Sequence, residues 1–157
     1  HLLSVRNCIN YNLYVNKCTV FEKEVELKMI KEFYDEKGTN LIIEHSKSNI
    51  IFKTDDKNVK NEYSLDYYFN ANTFKEIRNY LTSISCEIWK DFKPKIADSM
   101  SSDYTEYYDK KFDNDGYLSV YEEGIFLIER PSKECPYMYK FNKRRMESFI
   151  YDLNKYS

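Results

Sequence analysis

The sequence predicts an α+β protein in which antiparallel strands form a sheet and helices pack on one face of it. Three observations carry this. Short runs alternate apolar and polar residues with a period of two, as at Tyr63, Leu65, Tyr67 and Phe69, which gives a strand one apolar face. Such runs are followed by others of helical spacing, as at Phe74, Ile77, Leu81, Ile84 and Ile88. The chain has 157 residues, 42% hydrophobic and 17% aromatic, enough for one core and too apolar for disorder. Residues 1–157 therefore read as a single α+β domain, with no low-complexity linker dividing them.

Taken in order, Ile9, Tyr11, Leu13 and Val15 alternate with polar neighbours and predict an opening strand. Over 22–36, Val25, Met29, Ile30, Phe33 and Tyr34 recur at helical spacing, and Gly38 supplies a left-handed stop, so a helix is expected. The runs 40–45 and 49–54 flank Ser46-Lys47-Ser48 as a hairpin, and 55–61 is a polar loop. The strand over 63–69 leads into a helix that Asn70 or Asn72 can cap and that must end before Pro94. Tyr104, Tyr107 and Tyr108 place a short helix in 103–112. A second hairpin joins 117–121 to 125–130 through Glu122-Glu123-Gly124, 135–141 is a strand, and 145–155 is the last helix.

At an offset of 72 residues, Tyr67, Phe69, Asn70, Phe74, Ile77 and Leu81 fall on Tyr139, Phe141, Asn142, Met146, Phe149 and Leu153. One reading is a duplicated β-β-β-α unit over 40–92 and 116–156. The other is that asparagine after an aromatic strand end is simply a common helix cap.

Several function classes are excluded. Gly38, Gly116 and Gly124 are too few and too scattered for the phosphate loops G-x-x-x-x-G-K-S/T or G-x-G-x-x-G, whose backbone must approach phosphate without Cβ atoms. Lys and Arg total 24 against 26 Asp and Glu, a net charge of −2, which disfavours a duplex-binding surface. No apolar run approaches the roughly 20 residues of a membrane span. Cys8, Cys18, Cys86 and Cys135 contain no C-x-x-C pair and lie far in sequence from His45, so no zinc site is expected. Reduced thiols and the lack of any N-x-S/T sequon favour a cytoplasmic protein, and the abundance of Asn, Lys, Ile and Tyr fits an AT-rich bacterial or viral genome. The chain begins at His1 rather than Met, which leaves an extracytoplasmic setting open.

Three constellations bear on chemistry. Asp113, Asp115, Gly116, Tyr117, Leu118 and Glu122 follow the order of a calcium loop, and this one segment resembles an EF-hand loop. In that register Lys111 puts an ammonium at the first ligand position, so no metal is expected; if one bound, Asp113, Asp115 and Glu122 would be its ligands. His45 beside Glu44 has no nucleophile motif to serve, and no other catalytic pattern occurs, so neither enzyme activity nor a cofactor is expected. Lys143, Arg144 and Arg145 open the last helix, where the macrodipole disfavours cations, and Tyr137 and Tyr139 precede them. These five are the candidate partner-binding residues. With 16 tyrosines, a residue type enriched at interfaces, the chain reads as a non-enzymatic protein-binding inhibitor or immunity-type protein. The alternatives are a single-stranded nucleic-acid binder using the same five residues, and a calcium-binding protein with a degenerate loop.

Overall fold

A computed structural model describes residues 27–55, 57, 62–99 and 103–156. The predicted strand over 9–15, the start of the predicted first helix, Cys8 and Cys18 lie outside the described residues. The α+β class holds, with two four-stranded antiparallel sheets and two α-helices fully traced among the described residues. The strands are β1 Met29–Tyr34, β2 Asn40–His45, β3 Ile50–Lys53 and β4 Ser64–Tyr68, followed by helix α1 Ala71–Ile88. Then come β5 Glu106–Asp109, β6 Asn114–Glu122, β7 Ile125–Glu129 and β8 Tyr139–Phe141, helix α2 Lys143–Leu153 and a 3-10 turn Asn154–Tyr156.

The helix expected over 22–36 is corrected by β1, which pairs with β2 from Met29 opposite His45 to Tyr34 opposite Asn40. Met29 and Phe33, four apart, share a face in a helix and in a strand alike, so the spacing did not discriminate between them. What decides is the ladder and the turn that closes it. Asp35 Oδ1 accepts hydrogen bonds from the backbone N–H groups of Lys37 and Thr39, at 3.0 and 2.8 Å. Gly38, at φ 83°, serves this hairpin turn rather than a helix end. The short helix expected within 103–112 is corrected in the same way, since Glu106–Asp109 pairs with β6. Tyr107 is buried there and Tyr108 exposed, the alternation of a strand.

The other elements follow the sequence more closely. Asn70, not Asn72, caps α1, its side chain accepting from Thr73 N–H at 2.8 Å. Asn142 caps α2 through Arg145 N–H at 2.9 Å, two residues earlier than expected. The strand expected over 135–141 shortens to Tyr139–Phe141, downstream of Pro136, which has no N–H to offer a ladder. At the second hairpin, Gly124 has φ 85°, and a Cβ there would meet Phe69 O at 2.2 Å.

The strand orders are β1-β2-β3-β8 and β4-β7-β6-β5. Each half of the chain thus supplies three consecutive strands to one sheet and gives its fourth strand to the other. Tyr67 on β4 lies opposite Phe126 on β7, and Tyr139 on β8 opposite Phe52 on β3. The duplicated β-β-β-α unit read over 40–92 and 116–156 is not confirmed, since the fourth strand of each half pairs in the other half's sheet. Those boundaries also omit the first strand of each half.

Phe52, Phe74, Phe126, Phe141 and Phe149, from both sheets and both helices, meet in one hydrophobic cluster. Ring centroids lie 4.8 Å apart for Phe52 and Phe141 and 5.7 Å apart for Phe126 and Phe149. Tilted and edge-on aromatic pairs at such distances add to the gain from burial. The Tyr67 hydroxyl donates to Asn40 O at 2.9 Å, and the Tyr139 hydroxyl to Tyr104 O at 2.5 Å. Burial pushes both hydroxyls upward, so they stay neutral donors. Buried Glu147 accepts from Lys93 N–H at 3.0 Å and holds the segment after α1 against α2. Among the described residues no helix is long and apolar enough to cross a membrane.

Candidate functional site

Two surfaces with opposite charge stand out. The first is a cleft of about 260 Å³ where β5 of one sheet approaches β8 of the other, at the start of α2. Tyr107, Tyr108, Asp109, Lys110 and Lys111 line it from β5 and the turn after it, and Tyr137, Lys140, Phe141, Asn142 and Arg145 from β8 and its flanks. Four cations thus face one carboxylate. That carboxylate is well occupied: Asp109 Oδ1 accepts from Lys111 N–H at 3.0 Å and Oδ2 from the Tyr137 hydroxyl at 2.5 Å. The Arg145 guanidinium lies over the Tyr107 ring, 5.6 Å from its centroid, and its buried Nε has no hydrogen-bond partner among the described residues. Tyr107 is 5% exposed, and its hydroxyl likewise has none. Burial, with Cys135, Tyr137, Asp109 and Tyr139 nearby, drives that hydroxyl upward, so it remains protonated.

Of the five residues singled out in the sequence, the fold brings Tyr137 and Arg145 into this cleft. Tyr139 is fully buried, its ring edge-on to Tyr107 at 4.8 Å, and it offers no face for stacking. Its neighbour Tyr137 precedes β8, so the alternation assumed over 135–141 does not relate the two. Arg144 points its Nε to within 4.0 Å of buried Asp103, and Lys143 is not part of the lining. Asp109, Tyr107, Lys111 and Lys140 were missed in the sequence; the first three lie in the segment 103–112, which read as a helix rather than as β5 and the turn after it.

The second surface is the outer face of the β4-β7-β6-β5 sheet. The four strands contain no Lys or Arg; of their six carboxylates Asp109 is buried in the cleft, and the other five are Asp66, Glu106, Asp115, Glu122 and Glu129. The other sheet carries Lys31, Lys53 and Lys140 against Glu32 and Glu44. The register sets Glu106, Tyr117, Glu129 and Ser64 in one row across the acidic sheet and Ser119, Leu127 and Asp66 in another. Tyr68, Tyr108, Tyr117 and Tyr121 are exposed on or beside it. The Tyr117 hydroxyl is raised by partial burial and by the charges of Asp115, Glu106 and Glu129, which places these carboxylates around it. At its border Lys37 donates to Asp66 O at 2.9 Å and lies over the Tyr68 ring.

The calcium-loop register does not survive folding as a loop. Asn114–Glu122 is one strand, which carries Glu122 on the order of 25 Å from Asp113. Asp113, at φ 47°, instead accepts from the Tyr108 hydroxyl. No group of three or more metal-binding side chains occurs among the described residues. His45 sits at the end of β2, edge-on to Tyr80 at 6.4 Å. Cys86 is exposed and Cys135 buried, both as free thiols. Comparison with known protein families, with curated proteins and with solved structures found no match to this chain.

Proposed function

We propose that this protein acts by binding another protein, as an inhibitor or immunity-type factor rather than an enzyme, and that its outer acidic sheet covers a cationic surface of the partner. The observation that supports this reading is the charge division between the sheets. Both sheets are antiparallel and built in the same strand order, so the fold does not demand that one of them lack every cation. Carboxylates in rows with exposed tyrosines match a basic patch in both charge and contact chemistry. Basic patches on proteins are commonly the places where phosphate-bearing substrates are gathered, so covering one inhibits.

The test compares the wild type with a Glu106→Lys, Glu129→Lys, Asp66→Lys triple variant. Proteins retained from a lysate on the immobilised wild type are purified, and their affinities for both forms are measured by calorimetry at low and high salt. The expected partner is basic, binds more weakly as salt rises, and loses about a hundredfold in affinity for the triple variant. A retained partner that binds the triple variant as tightly as the wild type overturns the proposal.

A further inference from the structure

The two helices begin in the same way and differ in one respect. Each follows a strand from which an asparagine caps it, Asn70 for α1 and Asn142 for α2. The first turn of α1 is then Ala71-Asn72-Thr73, whereas that of α2 is Lys143-Arg144-Arg145. The neutral version shows that the cap needs no cations. Placed against the positive end of the macrodipole, they cost stability, up to about 1 kcal/mol each. Arg144 has buried Asp103 within 4.0 Å, whereas Lys143 and Arg145 form no ion pair among the described residues.

Two buried donors stand near each other here, since the Arg145 guanidinium lies over the Tyr107 ring. The Arg145 Nε and the Tyr107 hydroxyl are buried and lack partners among the described residues. Both residues line the cleft together with Lys110, Lys111 and Lys140. A buried donor without an acceptor costs free energy that an incoming anion would recover. Asp109, the one carboxylate in the lining, already accepts from the Tyr137 hydroxyl and from two backbone N–H groups, those of Lys111 and Phe112. We propose that this cleft is a binding site for a single phosphate group, free or as a monoester, held by the Arg145 guanidinium, the Tyr107 hydroxyl and the ammonium groups of Lys111 and Lys140. A nucleic-acid strand fits less well. It needs successive stacking faces, and of the two tyrosines singled out for this in the sequence Tyr139 is fully buried and offers none.

The experiment titrates the full chain with inorganic phosphate, with phenyl phosphate and with a single-stranded oligothymidylate, read by calorimetry. Saturable one-site binding of inorganic phosphate is expected, weakened about tenfold by Arg145→Gln and severalfold by Tyr107→Phe, with Lys75→Gln on α1 unaffected. Tighter binding of phenyl phosphate than of inorganic phosphate assigns the site to monoesters; the reverse order assigns it to the free ion. Lys140→Gln, on an exposed side chain, gives a second variant whose fold is not at risk, and thermal unfolding of each variant separates lost binding from lost structure. Failure of inorganic phosphate to saturate, equal affinity in Arg145→Gln, or oligothymidylate binding that phosphate does not compete away would overturn the proposal.

Discussion

At the scale of single residues, Gly124 and Gly38 make a controlled pair. Both have positive φ, but a Cβ on Gly38 meets nothing within 4 Å while one on Gly124 meets Phe69 O at 2.2 Å. Gly38→Ala should therefore cost about 1 kcal/mol of backbone strain. Gly124→Ala should cost about 3 kcal/mol or more, because the backbone of Phe69 must also move. Denaturant unfolding checks both, and equal costs would contradict the packing described. His45 provides a pH test. Burial lowers its basicity in the folded state and Glu87 only partly opposes this, so the unfolded chain binds the proton more readily. Stability should fall as pH drops below about 6.5 toward the lower folded value, and His45→Gln should flatten that part of the curve. Residue-scale reading of the sequence worked where one residue does one local task, as at the caps Asn70 and Asn142. It did not find Tyr107 or Asp109, whose roles depend on what the fold brings against them.

Among the elements, helix starts carry the clearest expectation. Asn70→Ala and Asn142→Ala should each destabilise the protein by about 1 kcal/mol. Replacing Lys143-Arg144-Arg145 by Ala-Asn-Thr, the turn that α1 already uses, should leave the unfolding midpoint unchanged or raised while abolishing phosphate binding. A lower midpoint would mean that the cations serve the fold. Strands were legible where alternation ran uninterrupted, as in β4. They were misread at β1, where Met29 and Phe33, four apart, satisfy both periods and only the partner strand decides, and at β5, where Tyr104, Tyr107 and Tyr108 lie at helical spacing.

For the whole molecule, the exchange of β4 and β8 ties the halves together. Period two tells which face of a strand is apolar but not which strand lies beside it, so this arrangement could not be read from the sequence, although the pairs such as Tyr67 with Tyr139 were. A fragment comprising residues 1–92 should lack cooperative thermal unfolding by circular dichroism, because its β4 has no β7 to pair with, and addition of residues 93–157 should restore it. The division of charge between the sheets was present in the sequence, yet it gains meaning only when the strands are sorted into their sheets. We propose the acidic sheet face as the surface that meets a partner. The most direct measurement of this is carbodiimide labelling of carboxylates in the free protein and in the complex with the retained partner, read by mass spectrometry. Asp66, Glu106, Asp115 and Glu129 are expected to become protected while Glu32 on the other sheet stays reactive; protection of Glu32 with those four unchanged would contradict this.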